Sequence, residues 1–254
     1  MLHMIPHGPE NGSETDTPLV IAHGLFGSGR NWGVIAKRLA NHRRVIALDM
    51  RNHGASPWYE DHSYHALAAD IAEVAKSLGQ PIDLLGHSMG GKAAMVAALS
   101  GTPIRRLIVA DIAPVRYTHS QQPVIDAMQS VPLNHITSRA EADHALSAHI
   151  DDPALRSFLL QSLNITARRW RLNLPALSAS MDDIIGFPDI SGCFTAPTLF
   201  LTGALSDYLR PEHRPIIKAL FPIARFAKIP QAGHWLHAEK PREFEAAVRI
   251  FLEA

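Results

Sequence analysis

Short apolar runs closed by turn-forming or acidic residues set the rhythm of this chain. Leu19-Val20-Ile21-Ala22 leads to Gly24, Arg44–Leu48 to Asp49, and Ile82–Leu85 to Gly86. Leu107–Ala110 leads to Asp111, Thr198–Leu201 to Gly203, and Ala224–Ile229 to Pro230. Apolar runs without strict alternation suit strands buried on both faces, as in a parallel sheet. Between them the period changes. Trp32, Ile35, Ala36 and Leu39 keep helical spacing, as do Leu67, Ile71, Val74 and Leu78. The alanine-rich stretch Lys92–Leu99 and the closing stretch Phe244–Leu252 also read as helices. Strand and helix in alternation predict an α/β fold: a mostly parallel central sheet with helices on both faces.

One segment breaks the rhythm. Between about 115 and 190 no run reads as a strand. The apolar spacings Val124–Ile125–Met128, Leu146–Ile150, Leu155–Phe158–Leu159 and Leu174–Leu177–Met181 are helical. A connection of about 75 residues is too long for a loop, which predicts an inserted helical segment within a single domain spanning 1–254. Such an insert either thickens the core or caps a site. The polar residues that end the flanking strands favour a cap.

Composition narrows the classes. The chain has 254 residues, 46% of them hydrophobic and 19% charged, enough for a sizeable core. Its 24 basic and 24 acidic residues sum to +0, which speaks against a broad nucleic-acid footprint. The single cysteine, Cys193, cannot form an internal disulfide and suits a reducing compartment. Residues 1–18 lack the basic start and apolar run of a signal peptide. No apolar run approaches the ~20 residues of a membrane span. A cytoplasmic location is the resulting expectation.

The strongest local signal is Gly86-His87-Ser88-Met89-Gly90-Gly91, which follows an apolar run and opens an alanine-rich stretch. That is the context of a G-x-S-x-G nucleophile elbow, whose sharp turn presents the serine hydroxyl and whose glycines let backbones approach. The alternative is a tight structural turn. A serine hydroxyl needs a base to attack at neutral pH. With this elbow the chain order is Ser, acid, His, so the base lies late. His234, in Gln231-Ala232-Gly233-His234-Trp235, fits, with His237 as the alternative. The imidazole in turn needs an acid to orient it. Asp111 and Asp207 both follow strand ends, and spacing does not choose between them. Each is otherwise a capping or turn carboxylate. An oxyanion formed on attack needs two backbone N–H donors. Met89 supplies one; Leu25, with Phe26 next, is the candidate in His23-Gly24-Leu25-Phe26-Gly27-Ser28-Gly29. That loop lacks the patterns of a phosphate cradle, and His23 reads as a packing and hydrogen-bonding residue.

HGLFGSGRNW, DMRNHGASPW, GHSMGGKAAM, VADIAPVRY, RRWRLNLPAL and AGHWLHAEKP run from residue 23 to residue 241. Together they resemble the α/β-hydrolase superfamily, and within it the YbfF-like bacterial esterases. The resemblance implies an α/β-hydrolase fold with a small helical cap, and hydrolysis of carboxylic esters or of acyl-CoA thioesters. It implies Ser88 as nucleophile, His234 as base and the aspartate of Asp-Ile-Ala-Pro, Asp111, as acid. A serine matching Ser206 assists that acid by hydrogen bonding. Here Asp207 stands beside Ser206, so Asp207 competes with Asp111.

Other features carry two readings each. Arg51-Asn52-His53-Gly54, in the loop after Asp49, reads as scaffolding that ties loops together, with a catalytic role as the alternative. Trp170 with Arg168, Arg169 and Arg171 makes either a basic rim for a phosphate-bearing substrate or a solvated helix. Leu174, Leu177, Met181 and Phe187 line either an acyl pocket or the insert's own core. His62 with His65, and His234 with His237, lack a metal-ligand pattern, so neither metal nor cofactor is expected. The partner is a small-molecule ester or thioester, and monomer against homodimer stays open. The rivals are cleavage of a C–C bond or an elimination by the same triad, and a non-catalytic binding protein of this fold. Haloalkane dehalogenases and epoxide hydrolases place a carboxylate at the elbow, which Ser88 opposes.

Overall fold

A computed structural model describes residues 1–8, 17–41 and 43–254, so residues 9–16 of the stretch read for a leader lie outside the described residues. The chain opens with β1 (His3–His7) and β2 (Leu19–Ala22), then α1 (Gly33–Leu39) and β3 (Val45–Asp49). It continues through α2 (Tyr64–Ser77), β4 (Ile82–His87), α3 (Met89–Leu99) and β5 (Ile104–Ala110). Then come α4 (Gln122–Ser130), α5 (Arg139–Ser147), α6 (Pro153–Leu160), β6 (Leu163–Asn164) and β7 (Arg169–Trp170). Two short helices follow, α7 (Leu174–Ala179) and α8 (Met181–Ile185). The fold closes with β8 (Thr198–Gly203), α9 (Arg214–Leu220), β9 (Arg225–Ile229), α10 (Leu236–Glu239) and α11 (Pro241–Glu253).

The sheet has seven strands in the order β1-β3-β2-β4-β5-β8-β9, parallel except for β1, which pairs antiparallel with β3. The expected α/β-hydrolase architecture is what the chain adopts. Side-chain alternation along the buried strands feeds two cores. Val20, Ile46, Leu84, Leu107 and Phe200 face α2 and α3, whereas Leu19, Val45, Leu85, Ile108 and Leu199 face α1 and α11. Both faces are covered, which is why these runs are apolar throughout. β1 escapes the apolar-run reading because it is an edge strand: His3 is exposed, and Pro6 is tolerated where one side has no neighbour.

The segment between β5 and β8, which we call the insertion, carries α4–α8 and an apolar cluster of its own built on Met128, Leu146, Leu159, Leu163 and Leu177. One expectation needs correction. The insertion holds a two-stranded antiparallel hairpin, β6 and β7, in the region read as free of strands. Asn164 Oδ1 accepts from the Ala167 amide at 3.0 Å and Arg168 takes φ 51°, so a tight turn replaces a helix there. Strands of two residues are too short to show a period. Among the described residues no helix is long and apolar enough to cross a membrane.

Candidate active site

β4 sits at the centre of the sheet, and Ser88 follows its last residue. Ser88 adopts φ 53° and ψ −120°, a strained conformation for a side chain with a Cβ. Its amide donates to Ala110 O at 3.0 Å and its carbonyl accepts from the Lys92 amide at 3.0 Å, which holds the strain in place. The flanking glycines are required by contact. A Cβ on Gly86 would lie 2.3 Å from Gly90 O, and one on Gly90 would lie 2.4 Å from Ala22 O.

His234, in the loop after β9, places Nε2 3.1 Å from Ser88 Oγ and Nδ1 2.7 Å from Asp111 Oδ2. Nδ1–H donates to the carboxylate, so Nε2 is free to accept the serine proton. Asp111 follows β5, is fully buried and has φ 53°. Its Oδ1 accepts from Thr202 Oγ1 at 2.5 Å and from the Gly203 amide at 3.1 Å; its Oδ2 also accepts from Ser206 Oγ at 2.5 Å. With His234, four donors fix one carboxylate. Asp207 lies outside this group: it is exposed, and its carbonyl accepts from Arg210 Nε at 3.1 Å. The structure thus brings Ser206, not its neighbour Asp207, to the buried carboxylate.

Two further histidines brace the loop. His87 Nε2–H donates to His234 O at 2.9 Å, and burial holds His87 well below 6.5, with His237 and His234 adding to the effect. His237 stacks on Trp32 with centroids 4.2 Å apart, and burial first, then His234, pushes it down to about 3. His237 is therefore occupied as packing rather than set beside Ser88. Tyr208 stacks on the His234 ring at 3.9 Å.

The loop after β2 is shaped by neutral imidazoles. His23 Nδ1–H donates to Gly24 O at 2.8 Å while its Nε2 accepts from the Met50 amide at 2.9 Å. The Phe26 amide, at φ 64°, donates to His53 Nε2 at 3.3 Å, so that N–H already has a partner. Leu25 and Phe26 both border the cleft. Met89 opens α3, where the first amides of a helix lack intrahelical acceptors and the dipole favours negative charge. Burial first, then the neighbouring His23 and His62, keeps His53 well below 6.5. Arg51 forks onto Asp70 at 2.6 and 2.9 Å, and Asn52 accepts from the Tyr59 amide at 2.7 Å, so this stretch ties loops together.

Above Ser88 and His234 lies a cavity of about 190 Å³, walled by Leu25, Phe26, Leu155, Phe158, Ile184 and Trp235 among others. Leu174, Leu177 and Met181 do not border it; they are buried in the insertion's own cluster. The arginines around Trp170 also stand elsewhere. They belong to the hairpin and not to a helix; Trp170 is buried and donates from Nε1 to Met128 O at 2.9 Å. Arg169 and Arg171 border a separate surface hollow with Trp58.

A family model described as the alpha/beta hydrolase family matches residues 19–247. The chain belongs to the α/β-hydrolase family. Its relatives in that family include the mouse protein named sn-1-specific diacylglycerol lipase ABHD11, 41% identical over 254 residues, which cover 95% of this chain and 83% of the relative. Esterase YbfF of Escherichia coli is 38% identical over 242 residues, 93% of each chain. A solved marine microorganism esterase superposes with a TM-score of 0.92 at 38% identity, covering 98% of both chains. Within this α/β-hydrolase site, Thr202, Tyr208 and His87 carry no motif of their own. Only the pairing of β5 with β8, Ala110 opposite Leu201, reveals that Thr202 reaches Asp111.

Proposed function

We propose that this protein is a serine hydrolase that cleaves carboxylic esters through an acyl-enzyme, with the insertion acting as a cap over the site. The observation that carries the reading is the hydrogen-bonded series Ser88–His234–Asp111 at the floor of a largely apolar cleft. His234 Nε2 takes the Ser88 proton as Oγ attacks the ester carbonyl carbon. The Met89 and Leu25 amides stabilise the oxyanion, each such donor lowering the barrier by about 2.7–4 kcal/mol. Collapse of the tetrahedral intermediate breaks the C–O bond, and His234 returns the proton to the departing alcohol. Water, deprotonated by His234, then attacks the acyl-serine, and the acid leaves with Ser88 restored. Asp111 holds the Nδ1–H tautomer and offsets the charge of the imidazolium. Names of relatives as esterase and lipase support the ester as substrate class.

Ser88→Ala is expected to lower p-nitrophenyl ester turnover by roughly 10⁴-fold or more with the melting temperature retained. Near-full turnover in that variant would remove Ser88 from the mechanism. A panel of p-nitrophenyl esters from C2 to C16 beside acyl-CoAs separates ester from thioester preference. Failure of wild-type protein to react with a fluorophosphonate at Ser88 would favour a binding role.

A further inference from the structure

Lys92 is 1% exposed, yet no carboxylate pairs with it in any of its hydrogen bonds. Its ammonium donates to three consecutive backbone carbonyls at the end of α8: Ile184 at 3.5 Å, Ile185 at 3.0 Å, and Gly186. The last carbonyls of a helix have no partner within it, and an ammonium carries three donors. The match is one donor to each carbonyl, at the helix end whose dipole favours a cation; at Ile184 O it adds to the Tyr64 hydroxyl at 2.8 Å and at Ile185 O to the Tyr117 amide at 2.9 Å. The rings of Tyr117 and Tyr64 flank the ammonium at 4.8 and 5.6 Å. Burial first, and Arg116 second, lowers Lys92 to about 7, so charging it there is costly. An apolar side chain would fill the same space without that cost; what the ammonium adds is a fixed position for three carbonyls.

That position matters because of what lies at either end of the lysine. Lys92 rises from the first turn of α3, where its amide bonds to Ser88 O. Ile184 and Ile185, at the other end, border the cleft above Ser88. Other attachments of the insertion use different residues: Gly54 N donates to Arg171 O at 2.8 Å, Asn173 N to Asn52 O at 2.9 Å, and Asn31 Nδ2 to Gln161 Oε1 at 2.6 Å. We propose that Lys92 is a positioning residue for ester hydrolysis, latching the Ile184–Gly186 corner of the cap to the nucleophile helix so that Ile184 and Ile185 form a fixed wall for the acyl chain. The proposal rests on the esterase reading for its substrate, but the latch itself is a property of the fold.

The test compares wild type with Lys92→Met on p-nitrophenyl acetate and octanoate, with amide hydrogen exchange of residues 181–190 alongside. In Lys92→Met, octanoate kcat/KM is expected to fall by about tenfold, chiefly through KM, as loss of the ammonium loosens the Ile184–Gly186 corner and lets the wall move. Acetate, too short to reach the wall, should change less than about threefold. Exchange across 181–190 should accelerate. Tyr64→Phe, which removes the neighbouring 2.8 Å donor to Ile184 O, should shift the octanoate-to-acetate ratio in the same direction by a smaller factor. It judges the proposal if Lys92→Met does not fold. Equal losses on both esters carried by kcat, or an unchanged ratio with unchanged exchange, would overturn the latch. A wild type that hydrolyses neither ester would instead overturn the esterase reading, leaving exchange to decide the latch.

Discussion

Asp111 illustrates how much one side chain's surroundings decide. It and Asp207 are both strand-end aspartates, yet one is enclosed by four donors and the other faces solvent. An amide in place of the Asp111 carboxylate presents N–H or a poorer acceptor to His234 Nδ1 and favours the wrong tautomer. Asp111→Asn is therefore expected to lower kcat by roughly 10⁴-fold, as loss of an orienting acid does. Asp207→Asn should stay within about twofold, the range of a surface change away from the chemistry. Steady-state kinetics on one p-nitrophenyl ester decides it: similar losses in the two variants would remove Asp111 as the orienting acid. Thr202 and Ser206 belong to the same enclosure, and their contribution is to hold the carboxylate plane facing the imidazole.

At the scale of elements, the turns that present these residues are built by close backbone approach. A Cβ on Gly203, the last residue of β8, would lie 2.1 Å from Gly233 O, in the loop that carries His234. Neither partner is a flexible side chain, so Gly203→Ala must push the two loops apart. We expect a loss of about 1–3 kcal/mol, seen as roughly 2–4 °C of melting temperature per kcal/mol, together with reduced kcat. A variant that melts like wild type would show that the loops yield freely. The buried strands were legible in the sequence because both faces are covered; Leu19–Ala22 and Leu107–Ala110 have no polar face to disguise them. β1 was not, being an edge strand with exposed histidine, and neither was the short hairpin β6–β7. Ser88 and His234 stand out locally because turn chemistry surrounds them. The choice of acid, by contrast, depends on which loop turns inward, a property of strand adjacency that spacing does not encode. The stripe Leu174–Leu177–Met181 shows the same limit: its period gives a helix face but not which of two apolar clusters that face joins.

For the whole molecule, buried neutral histidines make a common liability. His23 and His53 are held below 6.5 by burial, as is His87, while His62 and His237 are lowered to about 4 and about 3. Above 6.5 these groups are neutral in both folded and unfolded chains and cost nothing. As pH falls below 6.5 the unfolded chain takes up protons that the folded chain refuses, so stability is lost down to the folded values. Each such group contributes at most about 1.4 kcal/mol per pH unit across its window. Calorimetry is expected to show melting temperature falling steeply from pH 6.5 to 4.5; a flat profile would mean the imidazoles find water or relax on protonation. The same molecule divides its labour by attachment. Both ends of the segment between β5 and β8 join adjacent strands of one sheet, which pair from Leu107–Thr198 to Ala110–Leu201. The inserted residues thus stand where a crossover helix would, and their replacement need not alter a single strand register. Exchanging this upper storey leaves the strands and the loops around Ser88 in place, provided the side chains that hydrogen-bond to it, Lys92 and Tyr64 among them, change in step.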